Sequence, residues 1–129
     1  MHSHGKAAAK FLTREDLQVR MELKGSGVIV GGSGLHRIDW KVPKFEIGYW
    51  VRTRFAGQGY ASETVRTLTA FAFEHLKAKR VEIRCDEGNE RSWRVAERCG
   101  FQLEGTLRND SRGTNGEVRS TRVYAKVQD

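Results

Sequence analysis

The chain has 129 residues and a mass of 14.7 kDa, enough for one domain with a real core and short for two; 38% of residues are hydrophobic and 30% charged. That balance, with aromatic residues spread along the chain, excludes a disordered or fibrous protein, and no apolar run approaches the roughly 20 residues of a membrane-spanning helix. The net charge of +7 and the pI of about 9.8 favour an anionic partner: nucleic acid, ribosome, membrane surface or a polyphosphate compound.

Lys and Arg are dispersed among Asp and Glu, so most of them read as a solvated surface. One phosphate pocket needs only a few. A nucleic-acid module is the less favoured reading, because no aromatic–basic binding motif is present.

The first ten residues, "MHSHGKAAAK", are small and polar. They read as a disordered start or an expression remnant, leaving 11–129 as one domain. They have no apolar centre for a secretory signal, which leads to a cytoplasmic expectation. Cys85 and Cys99 show neither CxxC spacing nor His clustering, so they read as reduced structural thiols, and no metal site is expected.

In chain order, "LQVRMEL" (17–23) alternates as a half-buried strand does, "KGSG" turns, and "VIVGGSGLHRI" returns as a second strand. Gly31 and Gly32 inside it suggest a bulge or a close backbone approach. "DWKVPK" forms a loop, and "FEIGYWV" (45–51) is a strand rich in aromatic and β-branched residues. Ala61, Val65, Leu68, Ala72 and Leu76 recur at helical spacing through residue 79, with Phe71 and Phe73 widening the stripe. "RVEIRCD" (80–86) is a short strand. A second helix runs from Asn89 as N-cap to Gly100 as C-cap. "FQLEGTLR" and "EVRSTRVYAKV" pair as antiparallel strands around "NDSRGTNG". The order β-β-β-α-β-α-β-β predicts an α/β fold with a mixed, mostly antiparallel sheet.

Between the third strand and the first helix stands "RFAGQGYAS" (54–62). Strand, glycine loop and helix together point free backbone N–H groups at an anion, and the helix dipole adds to the attraction. Gly57 and Gly59 would let the backbone approach phosphate oxygens, and Arg54 adds charge. The GxGxxG pattern fails at Ser62, and GK[ST] is absent. The loop alone therefore leaves turn and phosphate cradle both open.

Read together, "FEIGYWV", the R-x-x-G-x-G of "RFAGQG", the long amphipathic helix, "NERSWRVAERCGF" and the GF-x-x-EG that follows resemble the GNAT superfamily of acetyl-CoA-dependent N-acetyltransferases. The pattern is most similar to its Rim-type branch, the ribosomal-protein alanine acetyltransferases. The resemblance covers residues 17 to 127 and implies a GNAT-like sheet with two helices.

It implies further that the backbone of Trp50, Val51 and Arg52 pairs with the pantetheine arm of acetyl-CoA as an added strand would. Arg54 and the segment Gly57, Gln58, Gly59, Tyr60, Ala61 and Ser62 would hold the pyrophosphate. Asn89 matches an asparagine that bonds the pantetheine amide, beside its plain reading as an N-cap.

Direct attack by an amine needs a base, a polarised thioester and a proton for the leaving thiolate. The resemblance implies Glu46 as base, against the plain reading of an outward strand charge, and Ser92 as acid, against a first-turn serine without chemistry. The wider superfamily's tyrosine acid falls at Ala96, so that acid is excluded. Cys85 reads as a structural thiol that would lie near the cofactor sulfur. Tyr49, Trp50 and Trp93 read as core or acceptor-pocket aromatics, and Arg91, Arg94 and Arg98 as a basic helix face that is solvated or meets the adenosine 3′-phosphate.

The resemblance implies a preceding edge strand and two helices that these residues do not show, as expected of a fragment, a single excised domain or a natural short form. A homodimer through the exposed sheet edge is the expectation that follows. The implied activity is transfer of acetyl from acetyl-CoA to a primary amine, such as a protein N-terminus, with no metal; a CoA-binding remnant without turnover is the alternative.

Overall fold

The computed structural model describes residues 5–12 and 17–128, with side chains from residue 17 onward. The elements are β1 (Gly5–Leu12), β2 (Leu17–Leu23), β3 (Ile29–Asp39), β4 (Lys44–Val51), α1 (Tyr60–His75), β5 (Arg80–Asp86), α2 (Glu90–Arg98), β6 (Gln102–Arg112) and β7 (Val118–Val127). They form a seven-stranded sheet ordered β1-β2-β3-β4-β5-β7-β6. Every neighbouring pair is antiparallel except β4 with β5.

The expected order is present with one strand more. Gly5–Leu12 is not a disordered start but an edge strand on β2, in register from Gly5↔Leu23 to Ala9↔Val19 and shifted before Leu12↔Leu17. Its run of alanines carries no strand alternation, which is why the sequence hides it. His2 and His4 lie outside the described residues.

Alternation sorts the sheet into two faces. Leu17, Val19, Leu35, Phe45, Ile47, Val81, Ile83 and Tyr124 turn to one face, where Val65, Leu68 and Ala72 of α1 and Ala96 of α2 meet them in one core. Leu68 is 2% exposed, a burial that contributes roughly 1.5–3 kcal/mol. The register places Gln18, Arg20, His36, Glu46, Gly48, Trp50 and Glu82 on the opposite face.

Gly31 and Gly32 fulfil both readings of their glycines. The β2–β3 register shifts beside Gly31, and a Cβ there would lie 2.3 Å from the Trp50 carbonyl oxygen. Helix α1 ends at His75, short of residue 79, because Lys77 takes a positive φ of 59° and the chain turns back, with the Ala78 amide donating to the Ala72 carbonyl. Helix α2 closes on Gly100 (φ 86°), as expected of a glycine that stops a helix. Among the described residues no helix is long and apolar enough to cross a membrane.

Candidate active site

The site begins where two parallel strands stop pairing. β4 and β5 are in register only from Lys44↔Arg80 to Glu46↔Glu82. Beyond that point β4 stays with β3 as far as Gly31↔Val51, while β5 stays with β7 as far as Asp86↔Thr121. A gap therefore opens between residues 47–51 and 83–86. α1 and α2 both start beyond the carboxyl ends of these strands, so two helix N-termini face the mouth of the gap, where parallel strands commonly bind ligands.

A cavity of about 400 Å³ fills the helix side of the gap. Of the residues singled out from the sequence, Trp50, Val51, Gly57, Ala61, Asn89 and Ser92 line it. So do Arg91, Arg94 and Arg98, which makes this wall of the cavity basic. Arg94 is paired with Glu90 and Arg98 donates to the Ser62 hydroxyl, whereas Arg91 has no ion pair among the described residues.

The glycine loop suits an anion. Gly57 and Gly59 have φ of 80° and 85°, and nothing lies within 4 Å of where a Cβ would stand on either. Glycine is required there by backbone conformation rather than by crowding. Gly59 is the N-cap of α1 and has no side chain to bond the first-turn amides. An anion is the natural partner for such amides.

The side chains of the segment have places of their own, apart from the backbone amides. Tyr60 is 7% exposed and packs edge-to-face on Phe55 in a small core with Met21 and Val30, so its side chain belongs to the fold. Ser62 is buried, and its carbonyl accepts from the Cys99 thiol. Arg54 stands over the Phe55 ring with its guanidinium carbon 4.9 Å from the centroid, outside the cavity lining, and Gln58 is exposed beside it. The Arg52 amide donates to the Val30 carbonyl at 2.8 Å, so this amide belongs to β3. By strand alternation the Val51 amide and carbonyl then point away from β3, toward the gap.

Asn89 caps α2, its Oδ1 accepting from the Ser92 amide at 3.2 Å. The N-cap reading is what the bonds display, and the Asn89 side-chain NH2 takes no part in the cap. The Tyr49 hydroxyl donates to the Ser92 carbonyl at 2.6 Å and accepts from Ser92 Oγ at 3.3 Å. Burial pushes the Tyr49 phenol above its ordinary range, opposed by the bond to Ser92. Burial also raises the Cys85 thiol, again opposed by a hydrogen bond to Ser92. Tyr49, Ser92 and Cys85 thus form one cluster at the root of the gap. Cys85 and Cys99 are both free.

Glu46 lies on the other face, beside a second cavity of about 420 Å³ that Cys85 and Asp86 also line. It is 9% exposed. His36 Nε2 approaches Glu46 Oε2 at 3.2 Å, and Arg37 Nε lies 3.4 Å from Oε1. Oε1 makes no hydrogen bond, since the Arg37 contact has the distance of an ion pair without the angle of a hydrogen bond. The outward-charge reading of Glu46 is therefore not what the structure shows. No hydrogen bond joins Glu46 to Ser92; the two stand on opposite sides of the sheet at the gap.

His36 and Arg37 were not legible as site residues. Adjacent strand residues normally face opposite ways, yet both reach Glu46, because Arg37 has φ 48° at a register shift in the β3–β4 pair. Trp93, partly buried against the core, stacks with Arg122, whose guanidinium carbon is 4.2 Å from its ring centroid. Among the described residues no three His, Cys, Asp or Glu converge as a metal site would.

Comparison with known proteins bears on this geometry. The Acetyltransferase (GNAT) domain family matches residues 2–102. YdaF of Bacillus subtilis (strain 168) is 42% identical over 83 residues, covering 64% of this chain and 45% of that protein. The ribosomal-protein-serine acetyltransferase of Escherichia coli (strain K12) is 28% identical over 129 residues, 100% of this chain and 65% of that one. The chain thus spans about half to two thirds of these relatives. Among solved structures, the microcin C7 self immunity acetyltransferase MccE, in complex with acetyl-CoA and AMP, superposes with a TM-score of 0.80 at 30% identity, covering 88% of this chain and 62% of that one. RimL, a ribosomal L7/L12 alpha-N-protein acetyltransferase in complex with coenzyme A, gives 0.81 at 25% identity, with 89% and 63% covered.

Proposed function

The chain belongs to the GNAT acetyltransferase family, and we propose that it transfers acetyl from acetyl-CoA to a primary amine, with a protein N-terminal amine as the favoured acceptor. The observation that carries this reading is the gap between β4 and β5, with a glycine-capped helix and a basic wall on one face and the buried Glu46 carboxylate on the other. The relatives named for ribosomal-protein acetylation support the choice of acceptor.

In this reading the amides of residues 57–62 hold the pyrophosphate, joined by Arg91, and Arg54 adds charge at the rim. The Val51 backbone pairs with the pantetheine arm, flanked by Trp50 and Arg52, and the Asn89 amide donates to it. The amine nitrogen forms a bond to the thioester carbonyl carbon, and the carbon–sulfur bond breaks. Glu46 takes the amine proton directly or through water. Ser92, backed by the Tyr49 hydroxyl, gives a proton to the departing thiolate. A buried Cys85 whose thiol is held protonated is a poor nucleophile, which favours direct attack over an acyl-cysteine. We place the enzyme in the cytoplasm and assign it a homodimeric state.

Release of free thiol from acetyl-CoA over a panel of amines and N-terminal peptides tests the reading. Amine-dependent release is expected. Tight cofactor binding without release for any amine would instead make the chain a CoA-binding module.

A further inference from the structure

On the helix-free face, His36 lies directly across from Glu46 in the β3–β4 register, with 3.2 Å between His36 Nε2 and Glu46 Oε2. The ring is seated on Gly48: a Cβ there would stand 2.7 Å from His36 Cε1, so any other residue at this position would push the imidazole aside. The Glu46 side chain is only 11% exposed, while that of His36 is 39% exposed. A carboxylate this enclosed takes up a proton easily enough from a bound substrate but has little contact with buffer to give it back. The imidazole spans that distance.

We propose that His36 is the proton exit of Glu46. The inference rests on the acetyl-transfer reading with Glu46 as base. The proton that leaves the amine forms an O–H bond at Glu46. It then passes from the carboxyl to His36 Nε2, the imidazolium releases a proton from Nδ1 to solvent, and proton exchange of the exposed ring with solvent returns it to the Nδ1–H tautomer, restoring carboxylate and an Nε2 acceptor. Imidazole suits the task because it both accepts and donates protons near neutral pH. Oε2 is the Glu46 oxygen that faces His36 and serves the exit, while Oε1, buried without a hydrogen bond, lies 3.4 Å from Arg37 Nε.

The other groups near the pair are poorer carriers. Arg37, at 3.4 Å from Oε1, stays charged and cannot relay a proton. Glu82, the register partner of Glu46 on β5, is held by Arg80 at 2.7 Å and Arg84 at 3.3 Å; burial would raise its carboxyl, but these arginines keep it below the usual range. Asp86, Cys85 and Asp110 line the cavity beside Glu46: Asp86 is held by Arg119 at 2.7 Å, burial pushes the Cys85 thiol up, and none of the three is paired with Glu46 as His36 is. Arg20 and Gln18 of β2 and Lys44 and Trp50 of β4 lie on the same face.

The test uses thiol-release kinetics of the whole chain in dilute buffer free of imidazole. His36→Ala is expected to lower kcat on the order of tenfold, to leave acetyl-CoA affinity unchanged, and to regain activity when imidazole is added. His36→Asn keeps a donor toward Glu46 but cannot relay, and is expected to stay slow. Gly48→Ala, which displaces the ring, is expected to behave as His36→Ala does. An unchanged kcat in His36→Ala, full activity in His36→Asn, or no rescue by imidazole overturns the proposal. Glu46→Gln separates the two readings: if it is slow while His36→Ala is normal, only the exit fails; if it is normal, the base assignment itself fails.

Discussion

Tyr49 of β4 donates its hydroxyl hydrogen to the backbone carbonyl of Ser92 on α2, 2.6 Å away, and receives the Ser92 hydroxyl in return. β4, which parts from β5 beyond Glu46, is thus tied to α2 by a side chain where backbone pairing has ended. The bond holds Ser92 and the start of α2 against β4.

Tyr49→Phe tests that tie. Losing one part-buried hydrogen bond should lower stability by about 0.5–1.5 kcal/mol, read from urea unfolding. Acetyl-CoA affinity should fall with it, because α2 and Asn89 are no longer held against β4. Unchanged stability and affinity together would show the bond to be incidental.

Gly59 carries a separable prediction. Space is open around it, so Gly59→Leu should cost only the left-handed backbone penalty of about 1–2 kcal/mol and leave the fold intact by circular dichroism. Calorimetry should show acetyl-CoA affinity reduced by about tenfold or more, equal to about 1.4 kcal/mol, because the loop amides are turned from the anion. Retained affinity would return the loop to a plain turn.

These two residues mark how far the sequence was legible. β2 and β5 match their expected ranges, since strict alternation on a one-sided sheet leaves little freedom in register. The glycine loop and Asn89 were found because short motifs on backbone turns survive in one dimension. The inward packing of the Tyr60 side chain on Phe55 and the turn at Arg37 were invisible, since neither a tertiary ring contact nor a positive φ in a non-glycine residue leaves a mark in the chain. His36 needed the register: only the pairing across β3 and β4 shows that it faces Glu46.

The pH dependence of stability has a definite sign on the alkaline side. Burial raises the Cys85 and Cys99 thiols, so the folded chain holds these protons more tightly than the unfolded one. Their contribution is fully present below the range of an exposed thiol, about 8.5, and is lost as pH rises through the raised folded values. Unfolding free energy should therefore decline from about pH 8.5 upward, and Cys85→Ala should make that decline shallower. An equal slope in the variant would contradict the assignment.

The β6 edge bears on assembly. Among the described residues β6 pairs with β7 alone, and Leu103 and Leu107 are 43% and 40% exposed. An uncovered edge of this length invites pairing with a second copy. Sedimentation should show a dimer that Leu107→Lys weakens; a stable monomer at high concentration would contradict it.

The most direct measurement of the central claim is an acetyl-CoA titration of the nitrogen-15-labelled chain followed by amide NMR. The amides of residues 57–62, Val51 and Asn89 are expected to shift together and saturate, while those of the β6–β7 loop at 113–117 stay still. Saturable binding that leaves the glycine loop and the gap unperturbed would contradict it.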